Sequence, residues 1–361
     1  MVEPSLETTS DFRTSQRPFL HSGLDYAGPV SLKTWRGRAA RIYKGYLAIF
    51  VCLSTSAIHI EIVSEYSTSA FIAAYKRFTG RRGICATLRS DCGTNFIGAD
   101  TELRRMFNAF STELKEISNV LANDGTLWNF NPPAAPHMGG KWEAAVKSTK
   151  FHLRRVIGET NLTYEELNTV IIQIEAILNS RPLCPLTEDV TDLSALTPGH
   201  FLIGQPLAVV PEPNLSSVPM SRLNRWQLLR SIVDQFWERW SLECLQRYQA
   251  ISKWHHPSNI IKEGSLVLIV DERYPPGKWP LARVTKLHPG ADRLTRVVSV
   301  STASSTFKRP ITKLCILPVD QNSNLFNKSL VEGGQNVGTS QYLKDARNSE
   351  TSTTAQLVPP S

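Results

Sequence analysis

The stretch SGLDYAGPV, residues 22–30, sets one carboxylate, Asp25, inside an otherwise apolar extended run. An ionised acid in a core strand is costly unless its surroundings neutralise it. Outward from it, strand-type apolar runs occupy 45–53 and 57–63, and TSAFIAAYKRF (68–78) is a helix with a Thr/Ser start. Residues 84–89 form the next strand and lead into SDCGTNF. Residues 99–122 are helical, and 126–130 make a short strand. The Pro/Gly segment NPPAAPHMGG (131–140) interrupts regular structure, and 141–157 and 163–179 are two more helices. Three strands, a helix, a strand, a helix, a strand and then helices predict an α/β fold, a mixed sheet flanked by helices.

Further along, the Pro-rich residues 180–221 read as an extended connector and 222–254 as a helix rich in Trp and Arg. Residues 263–319 carry the short β-like runs SLVLIV, LARVTKL, TRVVSV and ITKLCIL, some parted by the turns YPPGKWP and HPG. That spacing predicts a small all-β domain. Trp279, between Pro-rich turns, either packs at the rim of that domain or contacts DNA. The division that follows is a disordered leader at 1–16, a core at 17–205, and a connector with its helix at 206–260. The β-domain takes 261–320, and a Ser/Thr/Asn/Gly-rich disordered tail takes 321–361.

Over 361 residues, Lys and Arg total 40 against 32 Asp and Glu, a formal charge of +8. The surplus favours a polyanionic partner, nucleic acid before an anionic membrane. The longest apolar run, 46–53, is far short of the roughly 20 residues of a membrane-spanning helix. The start MVEPSLETTS does not read as a secretory signal. The six Cys (52, 85, 92, 184, 244 and 315) form no CxxC pair, which argues against a zinc site and for a reducing intracellular compartment.

Three acids stand out by context. Asp25 lies in its apolar strand, Asp91 follows ICATLR where the chain turns at Cys92–Gly93, and Glu143 comes just after Gly139 and Gly140 at a helix start. Hard divalent ions such as Mg²⁺ take oxygen ligands, commonly one or two carboxylates each with substrate phosphate oxygens. Three carboxylates converging from two strands and a helix can hold two such ions about 3.5–4 Å apart, clamping both oxygens of an in-line phosphoryl transfer. Each acid also has a plainer role open to it. Asp25 can bond to backbone at a strand end, Asp91 can close an Asx-turn, and Glu143 can favour a helix dipole.

Glu143, Lys147, Lys150 and Arg154 step by four, three and four, which lines them on one helix face beside an apolar stripe of Trp142, Ala145, Val146, Leu153, Val156 and Ile157. That face is either a row of phosphate contacts or a solvated surface with a Glu–Lys pair. The glycines of APHMGG allow a mobile loop before this helix. His137 within it contacts substrate or bonds inside the loop.

Taken together, GLDYAGP (23–29), LRSDCGTNFIGA (88–99), NFNPPAAPHMGGKWEAAVK (129–147), LNSRPL (178–183) and LTPGHFLIGQP (196–206) resemble the integrase core of Pao/BEL-type long-terminal-repeat retrotransposons. The C-terminal runs 264–298 and 307–318 are similar to the small β-domain that follows the core in those polyproteins. The resemblance implies a ribonuclease-H-like fold, followed by a helical connector and a small SH3-like β-barrel. It implies a metal-binding catalytic triad of Asp25 on the central strand, Asp91 at the end of its neighbour and Glu143 on a helix. Two Mg²⁺ or Mn²⁺ ions are the implied cofactors. The implied reactions are 3′-end processing and strand transfer on double-stranded DNA, both element ends and target. Asn95, His137, Lys147, Lys150 and Arg154 are the implied DNA contacts, and Gly139 and Gly140 the mobile loop. A homo-oligomer is expected, in the nucleus after a cytoplasmic stage, with no membrane partner. The His/Cys zinc module of the family has no HxnH…CxxC counterpart in these residues, so no zinc is expected. A non-catalytic nucleic-acid-binding remnant or domesticated protein is the alternative.

Overall fold

The structure, a computed structural model, describes residues 16–90, 96–102, 105, 125–130, 140–158, 160–187, 189–210, 212–215, 218–219, 222–254, 261–270, 274–292 and 294–317. For 140–145 and 250–254 it describes the backbone alone. The leader expected at 1–16, apart from its last residue Gln16, and the tail expected at 321–361 lie outside the described residues.

The fold opens with β1 (His21–Lys33), β2 (Ile42–Cys52) and β3 (Ile58–Val63). Next come α1 (Thr68–Arg82), β4 (Thr87–Ser90) and β5 (Leu127–Phe130). Then follow α2 (Gly140–Ile157), the two-residue β6 (Leu162–Thr163) and α3 (Tyr164–Asn179). The main sheet is ordered β3-β2-β1-β4-β5, with β6 pairing β1. The first three strands are antiparallel, while β4 is parallel to β1 and β5 to β4. The mixed sheet expected from the sequence is therefore present. The expected helix at 99–122 falls mostly outside the described residues, although 96–102 are helical.

Covering of both faces explains why the strands read as nearly continuous apolar runs. Side chains alternate across a strand. In β2, Leu47, Ile49 and Val51 join Val146 and Leu153 of α2 and Val170 and Ile174 of α3. Ala48, Phe50 and Cys52 face the other way, onto Phe71 and Phe78 of α1. Full burial of each such aliphatic or aromatic side chain contributes about 1.5–3 kcal/mol.

The outer edge of β3 is met by side chains. Asn179 accepts from the Ile58 amide at 2.8 Å and donates to its carbonyl at 2.7 Å. Glu175 accepts from the Ile60 amide at 2.9 Å, and Arg77 donates to the Ile62 carbonyl at 2.6 Å.

A buried charged cluster grows from the same edge. His59 Nε2 lies 2.8 Å from Glu61 and its Nδ1 3.3 Å from Glu175. Arg77 and Arg81 reach Glu61, and Arg82 reaches Glu175. Burial works against every charge in the cluster, yet the hydrogen bonds and opposite charges outweigh it. His59 is raised from its ordinary 6.5, and Glu61 and Glu175 are lowered from 4.5. Glu166 of α3 behaves alike: hydrogen bonds from Arg225 hold it at about 2. Lowered carboxylates stabilise the fold fully above their unfolded value, and that stability is lost as pH falls through the folded one. A raised imidazole stabilises it fully below its unfolded value, and that is lost as pH rises through the folded one. The denaturation midpoint is therefore expected to plateau between about pH 4.5 and 6.5 and to fall on both sides, as urea titrations across pH will read.

The connector is more ordered than its Pro content predicts. It holds the paired β7 (Cys184–Pro185) and β8 (Ala195–Leu196) and the short helix α4 (Pro198–Ile203). After it comes α5 (Arg225–Trp254). The strands β9 (Leu266–Ile269), β10 (Leu281–Pro289), β11 (Thr295–Ser301), β12 (Thr306–Pro310) and β13 (Leu314–Ile316) then form an antiparallel sheet ordered β12-β11-β10-β9-β13. In β9, Val267 and Ile269 pack inside this sheet, while Leu266 and Leu268 pack on Leu245 of α5 and Ala195 of β8. The sheet thus shares a buried cluster with the helix before it. Of the two readings of Trp279, packing is the one observed: its ring meets Trp237 and Trp240 edge-on, and its Nε1 donates to Ser180 Oγ at 3.1 Å. Arg283 fastens the connector to β10 by donating to the carbonyls of Thr187, Asp189 and Asp192.

Candidate active site

Asp25 sits in β1, which has neighbours on both sides, and pairs across to Ile49 of β2. Leu24 and Tyr26 belong to the α1 side of the sheet, so alternation turns Asp25 toward α2. One carboxylate oxygen accepts from the Tyr26 amide at 2.7 Å. The other is 2.5 Å from Lys150 Nζ, and both side chains keep about a third of their surface exposed, at 33% and 30%.

On the parallel side, Gly23 pairs with Arg89 of β4. The last residue of β4 is Ser90, directly before Asp91 in the chain. Asp91 itself lies outside the described residues, as do Asn95, His137 and Gly139. Gly140 opens α2, and Glu143 falls in its first turn with its backbone alone described. Helix geometry places position 143 two turns, or about 10 Å, before Lys150 on nearly the same face.

The expected apolar stripe of α2 is buried at Val146, Leu153, Val156 and Ile157. Gly158, at φ +51, takes the left-handed conformation in which helices commonly end. Lys147 and Arg154 are exposed, as a phosphate-contacting row and a solvated face both require. Lys150 differs from its neighbours because its ammonium is directed at Asp25.

The next face of α2 holds a residue that the sequence reading passed over. His152 is buried, with Nε2 2.5 Å from Glu243 of α5. Burial raises Glu243, but hydrogen bonds from His152 and Ser148 and the nearby Arg247 bring it below its ordinary value. A lone His in an apolar helix face carried no distinguishing signal; the Glu243 partner is 91 residues away. Cys52, Cys85, Cys184, Cys244 and Cys315 form no disulfide, and Cys92 lies outside the described residues.

Residues 224–317 match a family model described as a family of unknown function, DUF5641. The match takes α5 and the C-terminal sheet together, in keeping with their shared buried cluster, and spans less than half of the chain. No curated protein matches the chain. Among solved structures, the chain is similar to one in the cryoEM structure of a simian T-cell lymphotropic virus intasome in complex with PP2A regulatory subunit B56 gamma. That similarity has 12% identity, covers 85% of this chain and 82% of that chain, and has a TM-score of 0.33. A score this low carries no argument about function. No described helix is long and apolar enough to cross a membrane.

Proposed function

We propose that the chain is a retroelement integrase of the Pao/BEL type, a metal-dependent polynucleotidyl transferase acting on double-stranded DNA. The observation that carries this reading is the setting of Asp25. It lies on an inner strand of the mixed sheet, beside a strand whose next residue is Asp91, and faces the helix whose first turn contains Glu143. These are the relative positions that a ribonuclease-H-like core requires of its triad. In the same reading the antiparallel C-terminal sheet is the SH3-like domain, the protein works as a homo-oligomer, and its place of action is the nucleus.

The described part of the site fits a bound cation. Asp25 Oδ2 already meets one positive charge, the Lys150 ammonium, and the side chain is open enough for exchange. In this proposal Asp25, Asp91 and Glu143 hold two Mg²⁺ or Mn²⁺ ions, which when bound polarise the attacking and leaving oxygens of the phosphodiester. Asp25 is held in orientation by the Tyr26 amide. Lys150, released from Asp25, is free to meet a phosphate of the DNA beside Lys147 and Arg154. Because the ammonium competes with metal for the same oxygen, Lys150→Gln is expected to lower the half-saturating Mg²⁺ concentration for cleavage severalfold. An unchanged metal titration would remove Lys150 from the site.

The test of the whole reading is strand transfer by the full chain on a labelled duplex, with Mg²⁺ or Mn²⁺ and with EDTA as control. The Lys150–Asp25 pair also supports a second reading, a non-catalytic nucleic-acid-binding protein in which that lysine permanently balances Asp25. Metal-independent DNA binding without any joined or cleaved product favours the second reading and defeats the first.

A further inference from the structure

The strip SLKTWRGRAARIYKGY, residues 31–46, contains Lys33, Arg36, Arg38, Arg41 and Lys44 and no acid. It makes the hairpin between β1 and β2, at the end of β1 away from Asp25. Lys33 lies eight positions beyond Asp25 along the strand, about 26 Å at 3.3 Å per residue. The loop is well built. The Thr34 amide donates to the Arg41 carbonyl at 3.0 Å, and the Arg41 amide to Thr34 Oγ1 at 3.2 Å.

Four of these cations divide into two sets. Arg36 is an anchor: it pairs with Glu166 of α3 at 3.0 Å and lies 5.3 Å over the Trp226 ring of α5. Arg38, Arg41 and Lys44 are exposed and form no ion pair among the described residues. With them stands Trp35, 55% exposed. Its ring rests against Gly37, where an added Cβ would come within 1.7 Å of it. A large aromatic ring held on a glycine, on a hairpin that also carries unbalanced cations, has a chemical complement. That complement is a flat ring system on a polyanionic chain.

We infer that this hairpin binds a single-stranded segment of nucleic acid, with Trp35 stacking on an unpaired base and Arg38, Arg41 and Lys44 meeting its phosphates. Bases in a duplex are already stacked on each other, so the open indole favours an unpaired base over a paired one. The surface is built without any residue of the Asp25 site, and the inference does not depend on the proposed catalysis.

The experiment measures fluorescence anisotropy of labelled (dT)₂₀ with the full chain, in EDTA, against a duplex of the same length. Trp35→Ala is expected to weaken (dT)₂₀ binding about tenfold, with Trp35→Phe keeping most of the affinity. The triple variant Arg38→Gln, Arg41→Gln, Lys44→Gln is expected to flatten the slope of log affinity against log salt by about 2, from about 0.7 per phosphate contact on a single strand. Binding is read in EDTA, where no metal can be held, which separates this surface from the metal site. Equal (dT)₂₀ binding by Trp35→Ala overturns the inference. So does a loss on duplex as large as that on (dT)₂₀. The same hairpin chemistry also suits an anionic lipid surface. Trp35-dependent binding to phosphatidylserine vesicles without (dT)₂₀ binding would reassign it to membranes and overturn the proposal.

Discussion

Asp25→Asn is expected to lower Mg²⁺-dependent strand transfer by about a hundredfold or more, since a neutral amide is a poor ligand for a hard cation. Stability should barely move. The pair that this change breaks, Asp25 with Lys150, is about one-third exposed on both sides, and pairs of that kind contribute roughly 0–1 kcal/mol. The two magnitudes make the experiment decisive, because lost activity cannot then be charged to unfolding. Denaturant titration of the same preparation provides the control. Full strand transfer by Asp25→Asn would refute the assignment of Asp25 as a metal ligand. Loss of both activity and stability would instead assign it to the scaffold.

The largest effect on stability is expected at Glu175→Ala. The carboxylate accepts from the Ile60 amide and Arg82 and meets His59, and it is 11% exposed at the side chain. Removing one partner of a buried charged network costs about 3–5 kcal/mol, because the remaining charges stay desolvated without their counter-charge. The expected readout is a fall in the urea midpoint at pH 6, together with loss of the raised His59 titration by NMR. The sign follows from the cause: without Glu175, burial pushes the imidazole down and one of the bonds that raised it is gone. A shift under 1 kcal/mol would mean that water reaches the cluster and screens it.

Much of the fold was legible from the sequence for a simple reason. Residues 45–53 and 57–63 are buried on both faces, and sustained apolar runs of that length announce such strands. The helices 140–157 and 164–179 were equally plain, one from its apolar stripe and the other from its apolar run after Thr163. Thr163 forms a capping box with Glu166. What the sequence hid was partnership. Lys147, Lys150 and Arg154 share a spacing, yet only Lys150 has Asp25 before it, and spacing along a helix says nothing about what lies across from it. The cluster around His59 left a fainter trace that could have been followed. IHIEIV places two polar residues at alternate positions in an apolar strand, and VIIQIEAIL sets Glu175 in an apolar helix. Each pattern is a buried polar group in search of a partner, but the sequence does not say that they find each other. The order within the Pro-rich connector was hidden too, since Arg283, which ties it down, lies some 90 positions further on.

The side-chain cover on β3 bears on how copies of the chain can meet. A bare edge strand is a template on which another chain can lay a strand of its own, the usual route to sheet extension and to aggregation. On β3 that template is already written over by Asn179, Glu175 and Arg77. An incoming strand would have to strip three polar side chains from the ladder and leave two charges stranded, so association through this edge is closed. Assembly of several copies, which the proposed chemistry calls for, must use other surfaces. The main sheet keeps its width at this side whatever the protein binds.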